Sequence, residues 1–175
     1  ARIGCLKNIL RPRKFTLHMK TCEIKRTMSE DVDFRGLVGL LDAELWQRYP
    51  QEQSQHDPFN KIENNHTVLV VYRDGMPAGC GCFKTFDTST VEIKRMFVHP
   101  RHRGHGLGFT IIDNLEQWAC ELGYSRAILE TGPNQPEAIR LYQKSGYSRI
   151  SNYGPYVGME RSICMQKLLF PSGRS

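Results

Sequence analysis

Short apolar runs separated by turn residues dominate positions 67–98, and helical spacing takes over beyond residue 106. Thr67–Tyr72 reads as a strand, followed by the turn Asp74-Gly75 and a second run, Ala78–Phe86. Two strands around Asp-Gly predict a hairpin. Asp87-Thr88-Ser89 turns the chain again into Thr90–Val98, so three consecutive antiparallel strands are expected. Leu107–Leu122 then carries Ile111, Ile112, Leu115, Trp118, Ala119 and Leu122 on one helical face, with Gly123 as its stop. Ser125–Glu130 is a strand candidate. Pro136–Ser145 is a helix with Ala138, Leu141, Tyr142 and Ser145 on one face, ended by Gly146. Tyr147–Ile150 and Ile163–Leu168 are the final strands expected. Nearer the start, Thr21–Thr27 reads as a strand. Ser29-Glu30-Asp31 then opens a helix in which Phe34, Leu37, Val38, Leu41 and Leu45 recur, up to Pro50. Residues 50–66 are polar and irregular and are the expected mobile segment.

A strand, a helix and a second strand between residues 90 and 130 make a crossover unit. Those two strands should be parallel, with a right-handed connection. The pattern predicts one α/β (or α+β) domain, a mixed sheet with helices on its faces, over residues 21–170. A length of 175 residues suits a single domain with a sizeable core. No apolar run reaches the roughly 18 residues that a membrane-spanning helix needs.

Charge changes this picture only at one end. Six of the 24 basic residues (Arg2, Lys7, Arg11, Arg13, Lys14, Lys20) lie in residues 1–20, which hold no acid, and the other 155 residues balance 18 basic against 18 acidic. The excess of +6 is therefore a basic extension, expected to be solvated and disordered. A nucleic-acid groove would place its cations on the fold itself, so nucleic acid is not the expected partner. The six cysteines (Cys5, Cys22, Cys80, Cys82, Cys120, Cys164) contain no CxxC pair, which favours a reducing, cytoplasmic setting. Cys80 and Cys82 fall on the same face of a strand, as small core residues. His99, His102 and His105 have ligand-like spacing but stand among Arg101 and Arg103, and no metal is expected.

Candidate chemistry concentrates in Arg103-Gly104-His105-Gly106-Leu107-Gly108, between a strand and a helix N-terminus. Alternate glycines let backbone N–H groups converge, and the helix start adds unpaired donors and the positive dipole end. The result is an anion cradle suited to a pyrophosphate. A P-loop would need Gly-Lys-Ser/Thr, which is absent. A dinucleotide fingerprint would need a third glycine at Phe109, although Glu130 stands near where its ribose-binding acid would be. A glycine-rich loop without a ligand is the remaining alternative.

Arg103-x-x-Gly106-x-Gly108 at this junction resembles the central motif of the GNAT acetyltransferase superfamily. Asn134-x-x-x-Ala138-x-x-x-Tyr142-x-x-x-Gly146-Tyr147 is similar to that superfamily's downstream element, and Glu92–Val98 to the strand before its cradle. The resemblance covers about residues 21–168. It implies a GNAT fold of six to seven strands and acetyl-CoA as co-substrate. The pyrophosphate would lie on Gly104, His105, Gly106, Leu107, Gly108 and Phe109 beside Arg103. The pantetheine arm would run along Met96, Phe97 and Val98, and Asn134, Ala138 and Tyr142 would face it. The resemblance also implies Glu92 as base, Tyr142 as acid for the departing thiolate, and the Met96 amide as oxyanion donor. Trp46, Tyr49, Glu92, Tyr153 and Tyr156 are the expected acceptor contacts. The expected reaction is direct acetyl transfer to a primary amine of a small molecule or peptide. The alternative is a coenzyme A-binding sensor or partner-binding module without turnover. Exposed sheet edges would support a homodimer.

Overall fold

The structure, a computed structural model, describes residues 22–50 and 62–170. The basic extension, Thr21 and most of the segment expected to be mobile lie outside the described residues. The elements are β1 (Cys22–Thr27), α1 (Val32–Arg48), β2 (Val68–Arg73), β3 (Met76–Thr85), β4 (Thr90–Val98), α2 (Leu107–Glu121), β5 (Arg126–Thr131), α3 (Pro136–Lys144), β6 (Ser148–Arg149) and β7 (Ile163–Leu168). Among the described residues the strands form one seven-stranded sheet in the order β1-β2-β3-β4-β5-β7-β6. Neighbours are antiparallel except β4 and β5, which are parallel across the α2 crossover.

Helices cover both faces of the sheet. On one face Ile111, Ile112, Leu115 and Ala119 of α2 pack on Leu69, Val71, Val91, Ile93, Ala127 and Leu129. On the other, Phe34, Leu37 and Leu41 of α1 pack on Val68, Val70, Cys80, Cys82 and Phe97. Burial from both sides explains why β2 opens on an unbroken apolar run instead of an alternating one. The strand expected over Tyr147–Ile150 shrinks to Ser148–Arg149, although the Ile150 N–H still reaches Cys164 O at 2.9 Å.

Asp31 caps α1, accepting from the N–H groups of Asp33 and Phe34, both at 3.0 Å. Burial works against its charge, but the Lys25 ammonium, the Phe34 N–H and the Thr27 hydroxyl outweigh it and hold the carboxyl below the usual range. Its stabilisation is therefore present above pH ~4 and is lost as pH falls through the depressed folded-state value. Asp31→Ala should cost about 1 kcal/mol in urea unfolding at pH 7, with the difference from the parent protein shrinking in acid. Equal stability at pH 7 would remove the cap from this account.

Two local features open the sheet where the site forms. β4 pairs with β5 only from Thr90 to Ile93, opposite Arg126 to Leu129. Beyond that point β5 stays with β7 while β4 departs. The departure coincides with a β-bulge, because Cys82 faces Lys94 and Cys80 faces Phe97, leaving Arg95 and Met96 together opposite Gly81. Arg95 takes a left-handed conformation, with φ of 57°. A side chain at Gly81 would force its neighbours to move: a Cβ would stand 2.8 Å from Met96 Sδ and 2.9 Å from both Ile111 and Leu115.

Candidate active site

The chain leaves β4 at Val98, makes a 3-10 turn over Pro100–His102 and enters α2 through two glycines. Gly104 and Gly106 have φ of 78° and 79°, a region that costs a side-chain-bearing residue roughly 1–2 kcal/mol. No side chain caps α2 and its first turn holds no acid. Thr110 N–H bonds back to Gly106 O at 3.1 Å, so the preceding amides of Leu107, Gly108 and Phe109 have no carbonyl behind them within the helix. Gly108 brings this turn close to α3, where a Cβ would stand 3.0 Å from Leu141. These donors end a cleft between the divergent end of β4 and the start of α3. A diphosphate fits that chemistry, with dipole, unpaired N–H groups and open space before the glycines.

The cleft is lined by Met96, Phe97, Val98, Arg103, Gly104, Gly106, Leu107, Gly108, Phe109, Ala138 and Tyr142, all expected from the sequence. His105 is on the turn but outside the lining, with Nδ1 2.8 Å from Arg103 O. Asn134 is also outside it. Its Nδ2 donates to Arg48 O at 2.9 Å and its N–H to the Tyr49 hydroxyl at 2.9 Å, tying the end of α1 to the β5–α3 loop. Sequence reasoning missed Glu44, which lines the cleft and pairs with Arg103 and Arg48, both at 2.6 Å. Burial pushes the Glu44 carboxyl upward, but the guanidinium of Arg103 and then that of Arg48 hold it below the usual range. No motif marks Glu44; its signal was only its place one helical turn from Leu41 and Arg48.

A second cavity continues from this cleft, and Leu41, Met96, Gln135 and Tyr142 line both. Its other walls include Leu45, Tyr49, Lys94, Arg95, Glu130 and Arg161. Burial, and then the Glu130 charge, push the Tyr142 hydroxyl far above its ordinary range, so it keeps its proton at any physiological pH. Tyr49 is pushed up to about 12 by burial, partly offset by the Asn134 N–H. Gly132 makes room for it, since a Cβ there would be 2.2 Å from the Tyr49 oxygen. Glu130 accepts from the Ser162 hydroxyl at 2.7 Å.

The other expected acceptor contacts stand further off. Trp46 is half exposed and outside both linings. Glu92 Oε1 accepts from Tyr153 at 3.0 Å and from Tyr156 at 3.2 Å, and Lys94 Nζ lies 3.3 Å from the same oxygen. Lys94 also donates to the Tyr156 hydroxyl at 3.0 Å. This cluster reaches the second cavity only through Lys94. Burial raises the thiols of Cys80 and Cys82, the latter to about 12, which leaves them unreactive. Among the described residues no group of three His, Cys, Asp or Glu side chains is placed to hold a metal, and no helix is long and apolar enough to cross a membrane.

Known proteins carry the same architecture. The IAA acetyltransferase of Azospirillum brasilense is 36% identical over 137 residues, which cover 76% of this chain and 88% of that protein. A solved structure from Klebsiella pneumoniae, assigned as an acyl-CoA N-acyltransferase, has 32% identity and a TM-score of 0.69, over 87% of this chain and 99% of that one. The PaiA N-acetyltransferase of Thermoplasma acidophilum, solved with coenzyme A, shares the fold at 14% identity, with a TM-score of 0.62 over 85% of this chain and 99% of its own. The model of the acetyltransferase (GNAT) family matches residues 32–147, through the bulged strand, the glycine turn and α3. The chain belongs to the GNAT family of acetyltransferases.

Proposed function

We propose that the protein moves the acetyl group of acetyl-CoA directly to a primary amine held in the second cavity. The observation that carries this is the continuity of the two spaces, with Met96 and Tyr142 lining both. A thioester entering along β4 from the glycine turn would meet an acceptor at that shared wall, and alignment there supplies much of the rate.

Acetyl-CoA would supply the activated acyl group, and every other part falls to this chain. The amides of Leu107, Gly108 and Phe109 hold the diphosphate. The exposed edge of β4 at Met96–Val98 pairs with the arm, and the Met96 amide at the bulge stabilises the tetrahedral oxyanion. The amine must lose a proton to attack. Of two nearby carboxylates, Glu130 lines the cavity while Glu92 does not. A base must lie within hydrogen-bond reach of its proton, or one water away, so the role falls to Glu130. Glu92 anchors the Lys94, Tyr153 and Tyr156 cluster. The amine, deprotonated by Glu130, adds to the thioester carbonyl; the tetrahedral adduct collapses with cleavage of the C–S bond, the Tyr142 hydroxyl gives the departing sulfur a proton, and the resulting tyrosinate takes the second proton that the nitrogen sheds.

The test pairs a thermal shift with thiol release. Acetyl-CoA at a hundred times its Kd should stabilise the fold by about 2.7 kcal/mol, and an amine panel should then release coenzyme A. No shift at millimolar acetyl-CoA contradicts the assignment. A shift with no thiol released by any amine favours a sensor without turnover.

A further inference from the structure

Resting on the transfer reading above, we propose that Lys94 is a self-acetylation site: with no added amine in the second cavity, its ε-amine takes the acetyl group of acetyl-CoA bound to the same molecule. The strand geometry is the first ground. Ile93, Lys94, Arg95 and Met96 all line the cavity. A regular strand shows only alternate residues to one face. Here β4 has left β5 and bulges at Arg95 and Met96, so both of its faces reach the space. Lys94 thus stands two residues from Met96, which also lines the cofactor cleft and carries the proposed oxyanion donor. At ~3.3 Å per residue the two are about 7 Å apart along the strand, a span that the flexible four-carbon stem of a lysine covers. Among the described residues no other lysine lines either space.

The neighbours of the amine are the second ground. Lys94 Nζ lies 3.3 Å from Glu92 Oε1 and donates to the Tyr156 hydroxyl at 3.0 Å. A carboxylate therefore stands within reach of the ammonium's proton, as a general base must. The same contacts hold the amine in place, so transfer to it is slow beside transfer to a free acceptor. The Lys94 side chain is 8% exposed. That burial shields it from other protein molecules, and the acetyl donor has to be the acetyl-CoA on its own chain.

The step balances. The Lys94 ammonium passes a proton to Glu92, and the neutral nitrogen adds to the thioester carbonyl while the Met96 amide holds the oxyanion. The adduct collapses with cleavage of the C–S bond. The Tyr142 hydroxyl protonates the departing sulfur, and the tyrosinate recovers a proton from the nitrogen. The products are an Nε-acetyllysine, coenzyme A and a proton on Glu92. The cavity wall loses a cation, and Glu92 loses its ion pair with Lys94.

The experiment incubates the full chain with acetyl-CoA and no amine, then maps acetylated lysines over time by mass spectrometry. Lys94 should gain its acetyl group about a hundredfold faster than the exposed Lys25 and Lys144, as alignment within one complex allows. The rate should not change with protein concentration. Excess coenzyme A, which fills the cleft without an acyl group, should suppress the label on Lys94 and leave the slow background on Lys25 and Lys144. Lys94→Arg should remove that label and keep the acetyl-CoA thermal shift. No label on Lys94, a rate no greater than that of the exposed lysines, a rate that rises with protein concentration, or a label indifferent to coenzyme A overturns the proposal. Each of those results leaves transfer to an added amine standing, because the amine panel reads it separately. Failure to bind acetyl-CoA at all would remove the transfer reading first, and this proposal with it.

Discussion

Glu130→Gln is expected to lower kcat by about a thousandfold, within the range that general-base catalysis contributes. The substitution preserves shape, and the amide oxygen still accepts the Ser162 hydroxyl now 2.7 Å from Glu130. The fold and the affinity for acetyl-CoA should therefore stay close to those of the parent protein. What disappears is a group that can take a proton from the amine on the cavity wall. Glu92→Gln is the comparison. It disturbs the two tyrosine contacts and Lys94 but no lining carboxylate, so its loss should be under about tenfold, a positioning effect. A thousandfold loss in Glu92→Gln with little effect in Glu130→Gln would return the base to Glu92, working through Lys94 or water.

The second large effect is at the glycine turn. Phe109→Asp should strengthen the free protein and weaken its binding of acetyl-CoA. An acid in the first turn of α2 meets the positive end of the helix dipole, worth roughly 0.3–1 kcal/mol, where none now stands. The same charge repels a diphosphate seated on the Leu107, Gly108 and Phe109 amides, so the Kd should rise at least tenfold. Opposite signs from one substitution separate cradle chemistry from general damage. Gly106→Trp should abolish the thermal shift altogether, by filling the turn and opposing its φ of 79°. Undiminished acetyl-CoA affinity in both variants would exclude this turn as the diphosphate site.

Legibility in the sequence followed locality. The helix start at Ser29-Glu30-Asp31, the Asp74-Gly75 hairpin and the Gly106–Gly108 entry to α2 depend on a few consecutive residues, and the structure has each where the pattern put it. Eleven of the expected cofactor contacts line the cleft, because a strand-turn-helix motif carries its own geometry. The acceptor side was harder to read. Lys94, Glu130 and Arg161 come from β4, β5 and the loop before β7, and only the assembled sheet brings them together. Glu92 stood out by its distance from Arg103 along the chain, which is blind to the bulge at Arg95 and Met96. Asn134 and Tyr153 likewise had recognisable sequence settings but spend their polar atoms on protein partners. The short β6 reflects a similar limit: Tyr147 is apolar enough for a strand yet is buried against Tyr142.

A crystal structure with coenzyme A bound tests the central claim most directly. The account predicts diphosphate oxygens within hydrogen-bond distance of the Leu107, Gly108 and Phe109 amides, the arm alongside Met96–Val98, and the sulfur at the wall shared by Met96 and Tyr142. Coenzyme A seated elsewhere, or with its sulfur remote from Tyr142 and the second cavity, would contradict it.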